Sequence, residues 1–277
     1  METGSVQLTD LVDIGANLTH ESFEHDRHEV VARALAAGVS QMVITGSTVA
    51  QSTAAAELAR SLNANWPGRF HATAGIHPHH ASELNADSVP QLRDLCARPE
   101  VVSVGECGLD YHRNFSTPAE QRRCFAAQLE LSVGTQLPVF LHQRDAHADF
   151  LAILREFRPH LSRAVAHCFT GGGDELEHYL ELDLYVGITG WICDERRGHH
   201  LIDLVPSVPS GRLMVETDAP YLLPRDLRPR PKTRRNEPSN LAHVLLAVAG
   251  ARGDPPPALA ASTSRTAREF FAIPAPA

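Results

Sequence analysis

Short apolar runs recur along this chain, and they end on polar side chains: Asp13 and Asn17, then Thr45, His77, Glu106, His142, His167, Thr189 and Asp218. The run before Glu106, Val101 to Gly105, contains nothing that ionises. Its carboxylate therefore stands at the rim of a core and has to be paired or to bind a metal. One histidine in such a place is more often a hydrogen-bonded core residue than a ligand. The set carries more weight than any member. Glu106, His142, His167 and Asp218 together make a mixed nitrogen and oxygen shell suited to divalent Mg, Mn or Zn. A buried Glu–His ion-pair network is the competing reading of the same residues.

What must position them is a series of strands. The runs are "LVDIGAN", "QMVITGS", "FHATAGIHP", "VVSVGECG", "LPVFLHQR", "RAVAHCFTG", "LYVGITG" and "LMVETDAP", with helical patterns such as "PAEQRRCFAAQLELSVGTQ" between them. In that helix Phe125, Leu129 and Val133 give one apolar face, and Gly38 and Gly134 mark helix ends. Eight strands alternating with helices predict a single-domain α/β chain, a TIM (β/α)8 barrel over residues 1–277, with a C-terminal helix packed outside. A doubly wound open sheet is the alternative, but no GxGxxG follows the first strand. In a barrel the C-terminal strand ends share one face, so Glu106, His142, His167 and Asp218 can point at one another across its mouth.

Two absences bear on the metal. Lys232 is the only lysine, so no carboxylated lysine bridges ions at the end of the fourth strand. The first strand offers Gly15 and Asn17 where two imidazoles would supply a second ion. A hard ion such as Mg²⁺, which keeps several waters, tolerates that loss better than Zn²⁺. The expectation is one well-held site and a second that is weak or filled by substrate.

Composition sets outer limits. With 43% hydrophobic and 21% charged residues the chain reads as an ordinary soluble globular protein. No apolar stretch reaches the ~18 residues of a membrane span, and "METGSVQLTD" shows no secretory signal. Five cysteines, none in a CxxC pair, argue for a reducing cytoplasm. A net charge of −8 opposes bulk coating of nucleic acid. One basic segment stands out, "PRDLRPRPKTRRNEP", Pro224 to Pro238, directly after the eighth strand.

The motifs "DIGANLT", "AGIHPH", "VGECGLDYHRNFSTPAEQ", "LHQRDAH", "HCFTG", "GITGWICDERRG" and "ETDAPYLLPRDLRPRPKTRRNEP" resemble, in order and spacing, the TatD-type deoxyribonucleases. The resemblance runs from near the N-terminus through the last helix. It implies a barrel nuclease dependent on a divalent metal, acting 3′→5′ on single-stranded DNA, with RNA as a further substrate. It also implies metal ligands at Glu106, His142 and His167, with Asp218 beside the metal and the attacking water. Gln143 departs from the Cys often found there and is expected to face away from the site.

On this reading Asp218 is the candidate general base, a role compatible with metal ligation. His77, before a proline, is a candidate for substrate-phosphate contact or for the leaving-group acid, and the rest of "HPHH" reads as a solvated turn. Arg113, Arg225 and Arg235 are candidates for phosphate contact through their guanidinium forks. Tyr111 and Tyr221 could stack an unpaired base but stay outside the core site. Cys107 and Cys168 adjoin the proposed ligands and by strand alternation should point away. A monomer is expected, there being no extension to carry an interface. The rivals are a small-molecule amidohydrolase or lactonase on the same barrel, and a nucleic-acid-binding barrel without catalysis.

Overall fold

Every apolar run of the sequence forms a strand in the computed structural model, which describes residues 8–276. The seven residues before Leu8, and with them most of "METGSVQLTD", lie outside the described residues. The first half of the chain runs β1 (Leu11–Ala16), α1 (Arg27–Ala36), β2 (Val39–Ile44), α2 (Val49–Asn63), β3 (Phe70–Ala74), α3 (Ser88–Cys96), β4 (Val101–Asp110) and α4 (Pro118–Thr135). The second half runs β5 (Val139–Arg144), α5 (His147–Phe157), β6 (Ala164–Ala166), α6 (Gly173–Glu181), β7 (Tyr185–Ile188), α7 (His199–Leu204), β8 (Leu213–Val215), α8 (Leu241–Arg252) and α9 (Pro256–Phe271).

The eight strands are parallel and lie side by side in chain order. The seam between β8 and β1 is joined just past the strand ends. Asp218 N donates to Gly15 O at 2.8 Å, and Asn17 N donates to Ala219 O at 2.7 Å. Asp13 adds to this seam by accepting from the Thr217 amide at 2.9 Å and from its hydroxyl. The chain is a (β/α)8 barrel.

Side-chain alternation sorts the core. Val43, Phe140, Val165 and Met214 face the barrel interior with Val12, Ile14 and Val102, while their strand neighbours Met42, Ile44, Leu141 and Ala166 pack under the helices. Phe270, Phe271 and Ile273 join the interior group. Arg163 Nη1 donates to Glu269 O and Gln41 Nε2 to Pro274 O, so the end of α9 closes the N-terminal mouth.

α4 does most to position the opposite mouth. It starts on a capping box in which Thr117 Oγ1 accepts from Glu120 N and Glu120 Oε2 accepts from Thr117 N. Two buried glutamines on it then clamp strand ends. Gln121 accepts from Asp110 N at 2.8 Å and donates to Asp110 O at 3.0 Å, and Gln128 treats the amide and carbonyl of Ile76 the same way at 2.7 and 2.9 Å. α4 runs through Gly134 to Thr135, and Gln136, at φ 60, makes the left-handed stop. Gly134 is therefore not the helix end. Gly38, at φ +91, does follow α1, where a Cβ would collide with Leu8 O.

Candidate active site

β4 delivers Glu106 to the centre of the C-terminal mouth. Its Oε1 lies 2.9 Å from His142 Nδ1 on β5, 2.8 Å from His167 Nε2 just past β6, and 3.3 Å from His77 Nε2 after β3. Ligand atoms of His77, Glu106 and His142 all lie within 4.8 Å of one another. Burial alone would push the Glu106 carboxyl up, but the His167 and His77 charges and hydrogen bonds from His142 and His167 bring it well below the usual range. His167 responds in the opposite sense: burial disfavours its charge, yet Glu106 and Glu216 hold it well above an ordinary histidine.

These residues fit a divalent cation. His167 presents one ring nitrogen to each of two carboxylates, Nδ1 to Glu216 and Nε2 to Glu106. His142 Nε2 is buried with no hydrogen-bond partner, although Asp110 Oδ2 is 3.4 Å away. An orphaned imidazole nitrogen beside crowded carboxylate oxygens is the donor set a metal would use.

Three members of the site were not among the residues singled out from the sequence. Asp110, four residues beyond Glu106, faces the same mouth, and its Oδ2 is 2.8 Å from His79 Nε2. His79 is thus part of this polar cluster and not a solvated turn, while His80 does pair outward with Glu83. The His142, His79 and Arg113 contacts lower the Asp110 carboxyl in spite of its burial.

The third is Glu216, fully buried, whose Oε2 lies 3.2 Å from His167 Nδ1 and whose Oε1 accepts from Cys168 N. It occupies space that two glycines leave open: a Cβ on Gly15 would stand 2.5 Å from Oε2, and one on Gly187 2.6 Å from Oε1. "ETDAP" held the clue, with a second acid two residues before Asp218.

Asp218, at φ 51, is half-buried and accepts from Asn17 Nδ2 through Oδ1 at 2.9 Å. Burial pushes its carboxyl up to about 7; Glu106 and Glu216 add to the shift, and His167 and Asn17 oppose it. Cys168 corrects the alternation argument. The chain turns left-handed there, at φ 47, and the thiol faces the site, where burial and then Asp218 and Glu216 push it well up. Cys107 does sit under the helices, and Gln143 reaches outward to Tyr179 OH at 3.0 Å.

The arginines divide. Arg113 is exposed at the rim, its amide held by Asp110. Arg225 pairs with Glu195 at 3.0 Å and borders a groove of about 660 Å³ with Trp191, Arg230, Lys232 and Arg234. Arg235 does not reach that groove. Its guanidinium is tied to Asp26 and Glu237 at 2.7 and 2.8 Å and lies over the Phe23 ring. Tyr111 is likewise engaged, donating to Asp149, whereas Tyr221 is 52% exposed and available.

The family model described as TatD related DNase matches residues 12–272. The 3′-5′ ssDNA/RNA exonuclease TatD of Erwinia amylovora is 53% identical over 264 residues, covering 95% of this chain and all of that protein (100%). The protein of the same name from Citrobacter koseri is 50% identical over 263 residues, with 95% and 99% covered. Among solved structures, YjjV, a TatD homolog from Escherichia coli, superposes with a TM-score of 0.86 at 25% identity, over 96% of this chain and 99% of that one.

Proposed function

This chain belongs to the TatD related DNase family, and on that premise we propose that it is a divalent-metal-dependent 3′→5′ exonuclease acting on the phosphodiester bonds of single-stranded DNA and RNA. The observation that carries the reading is the convergence of His77, His142 and His167 on one oxygen of Glu106. Glu106, His142 and His167 would hold the ion, with His77 and Asp218 at its edge. When bound, the ion supplies charge neutralisation at the phosphoryl oxygens and acidifies water.

The chain's own groups supply the rest. Asn17 holds Asp218 Oδ1, which leaves Oδ2 to accept a proton from the attacking water. Its elevated affinity for protons suits a base working near neutrality. His77 is lowered to about 4, chiefly by burial, so it enters neutral and suits contact at the edge of the ion better than the role of leaving-group acid. Arg113 and the groove beside Arg225 would take the flanking phosphates, and Tyr221 an unpaired base. Arg235 acts at a distance, by anchoring the basic loop.

Mg²⁺ is the proposed working ion, since Gly15 and Asn17 add no imidazole from β1. Two imidazoles in the shell, with a third at its edge, make Mn²⁺ and Zn²⁺ the competitors. A monomer in the cytoplasm completes the reading; among the described residues no helix is long and apolar enough to cross a membrane.

The test is digestion of a 5′-labelled single-stranded oligonucleotide with each ion or with EDTA, beside Glu106→Ala. A ladder shortening from the 3′ end, absent in EDTA and in the variant, supports the reading. An intact oligonucleotide under all three ions, with esters, lactones or amides hydrolysed instead, overturns it.

A further inference from the structure

Outside the Glu106 cluster, three segments bring three different ligand atoms together. Cys193 ends the short helical turn Gly190–Cys193 after β7, Asp226 lies in the basic loop after β8, and His243 is on the first turn of α8. Ligand atoms of the three lie within 4.8 Å of one another, and His243 Nε2 is 2.7 Å from Asp226 Oδ1. Cys193 is buried at 7% exposure, while Asp226 is exposed and the His243 side chain is 30% exposed. One thiol, one imidazole and one carboxylate, open to solvent on one side, form a three-ligand set with a position left for water.

We propose that Cys193, Asp226 and His243 form a second metal site, sharing no residue with the Glu106 cluster, which takes a borderline divalent ion such as Zn²⁺ and staples the basic loop to α8 and to the turn after β7.

The chemistry is that of zinc. Sulfur and imidazole together select Zn²⁺ or Co²⁺ over Mg²⁺. Without an ion the thiol keeps its proton: burial, with the Asp226 carboxylate beside it, pushes Cys193 up to about 12. On binding, the S–H bond breaks, the S–metal bond forms, and the proton leaves to water. Two ligand charges then offset the ion. The nearest guanidinium in the sequence, Arg225, is already neutralised by Glu195 and Asp194. The staple would fix the loop that carries Arg230, Lys232 and Arg234 along the groove. This site stands whether or not the chain is a nuclease.

The test uses the full chain, stripped of metal and reloaded with Co²⁺. A sulfur-to-cobalt charge-transfer band in the near ultraviolet is expected in the wild type, retained in Cys168→Ser and lost in Cys193→Ser. His243→Ala, at a part-exposed position, should lose it too with the fold intact by circular dichroism. A second readout is trypsin. Arg228 and Arg230 precede prolines and resist it, so cutting falls at the exposed Lys232 and Arg234. Zn²⁺ should slow that cutting in the wild type and not in His243→Ala. No charge-transfer band in the wild type, or a band that survives Cys193→Ser, overturns the proposal and leaves a hydrogen-bonded latch.

Discussion

Glu216 and His167 stand with Oε2 3.2 Å from Nδ1, and the opposite ring nitrogen, Nε2, reaches Glu106 at 2.8 Å. A carboxylate behind a ligating imidazole fixes its tautomer and its aim. Glu216→Gln is expected to weaken divalent-ion affinity about 10- to 100-fold. Titration calorimetry on the metal-stripped protein reads this directly, and unchanged affinity would remove Glu216 from any role in positioning His167.

Asp218 links pH to stability. Its folded affinity for protons, about 7, exceeds that of an unfolded aspartate, so its stabilising contribution is complete below the unfolded value of about 4 and is lost as pH rises through 7. For a half-buried group the difference is on the order of 2 kcal/mol after solvent screening. In the absence of metal, Asp218→Asn should therefore gain stability over the wild type by more at pH 8 than at pH 5. Urea midpoints at the two pH values check the sign, and equal gains would mean Asp218 titrates normally.

Gln128 spans the amide and carbonyl of Ile76, next to His77. Gln128→Leu leaves both groups buried and unpaired, at a cost of about 1–3 kcal/mol each. The expected result is a lower urea midpoint with an unchanged slope. A variant as stable as the wild type would show that water or a shifted backbone replaces the amide.

The basic groove predicts a split between binding and chemistry. Lys232→Glu with Arg234→Glu should raise KM for oligonucleotides several-fold. The same pair should flatten the salt dependence of binding by about 0.7 of a unit of slope for each phosphate of the single strand no longer neutralised. The rate at saturation should hold. A fall in kcat with KM unchanged would place these side chains in the chemistry instead.

Glu106, His142 and His167 could be found from the sequence because each breaks an apolar run, and eight such runs in this order permit few topologies. Asp110 escapes a sequence reading because the apolar run stops at Glu106. In the structure β4 continues to Asp110, through Gly108 at φ +145, where a Cβ would collide with His142 O. Cys168 defeated strict alternation because His167 already lies beyond the three-residue β6. Arg235 looked like its neighbours in a charge run. Its partners Asp26 and Glu237 include a residue some two hundred positions away, which no local pattern reveals.

The space at the barrel centre can be filled only once. Glu216 fits because Gly15 and Gly187 have no side chains, and its carboxylate lies where a residue on β1 would otherwise project. A side chain at position 15 would therefore press on the movable end of Glu216 and on the Phe140 ring, 3.2 Å from such a Cβ. A descendant of this chain that gained an imidazole at position 15 would have to swing the Glu216 carboxylate aside, whereas one at position 17 would replace the amide that holds Asp218. A first-strand ligand for a second ion would thus be felt behind His167 or at Asp218 before anywhere else in the barrel.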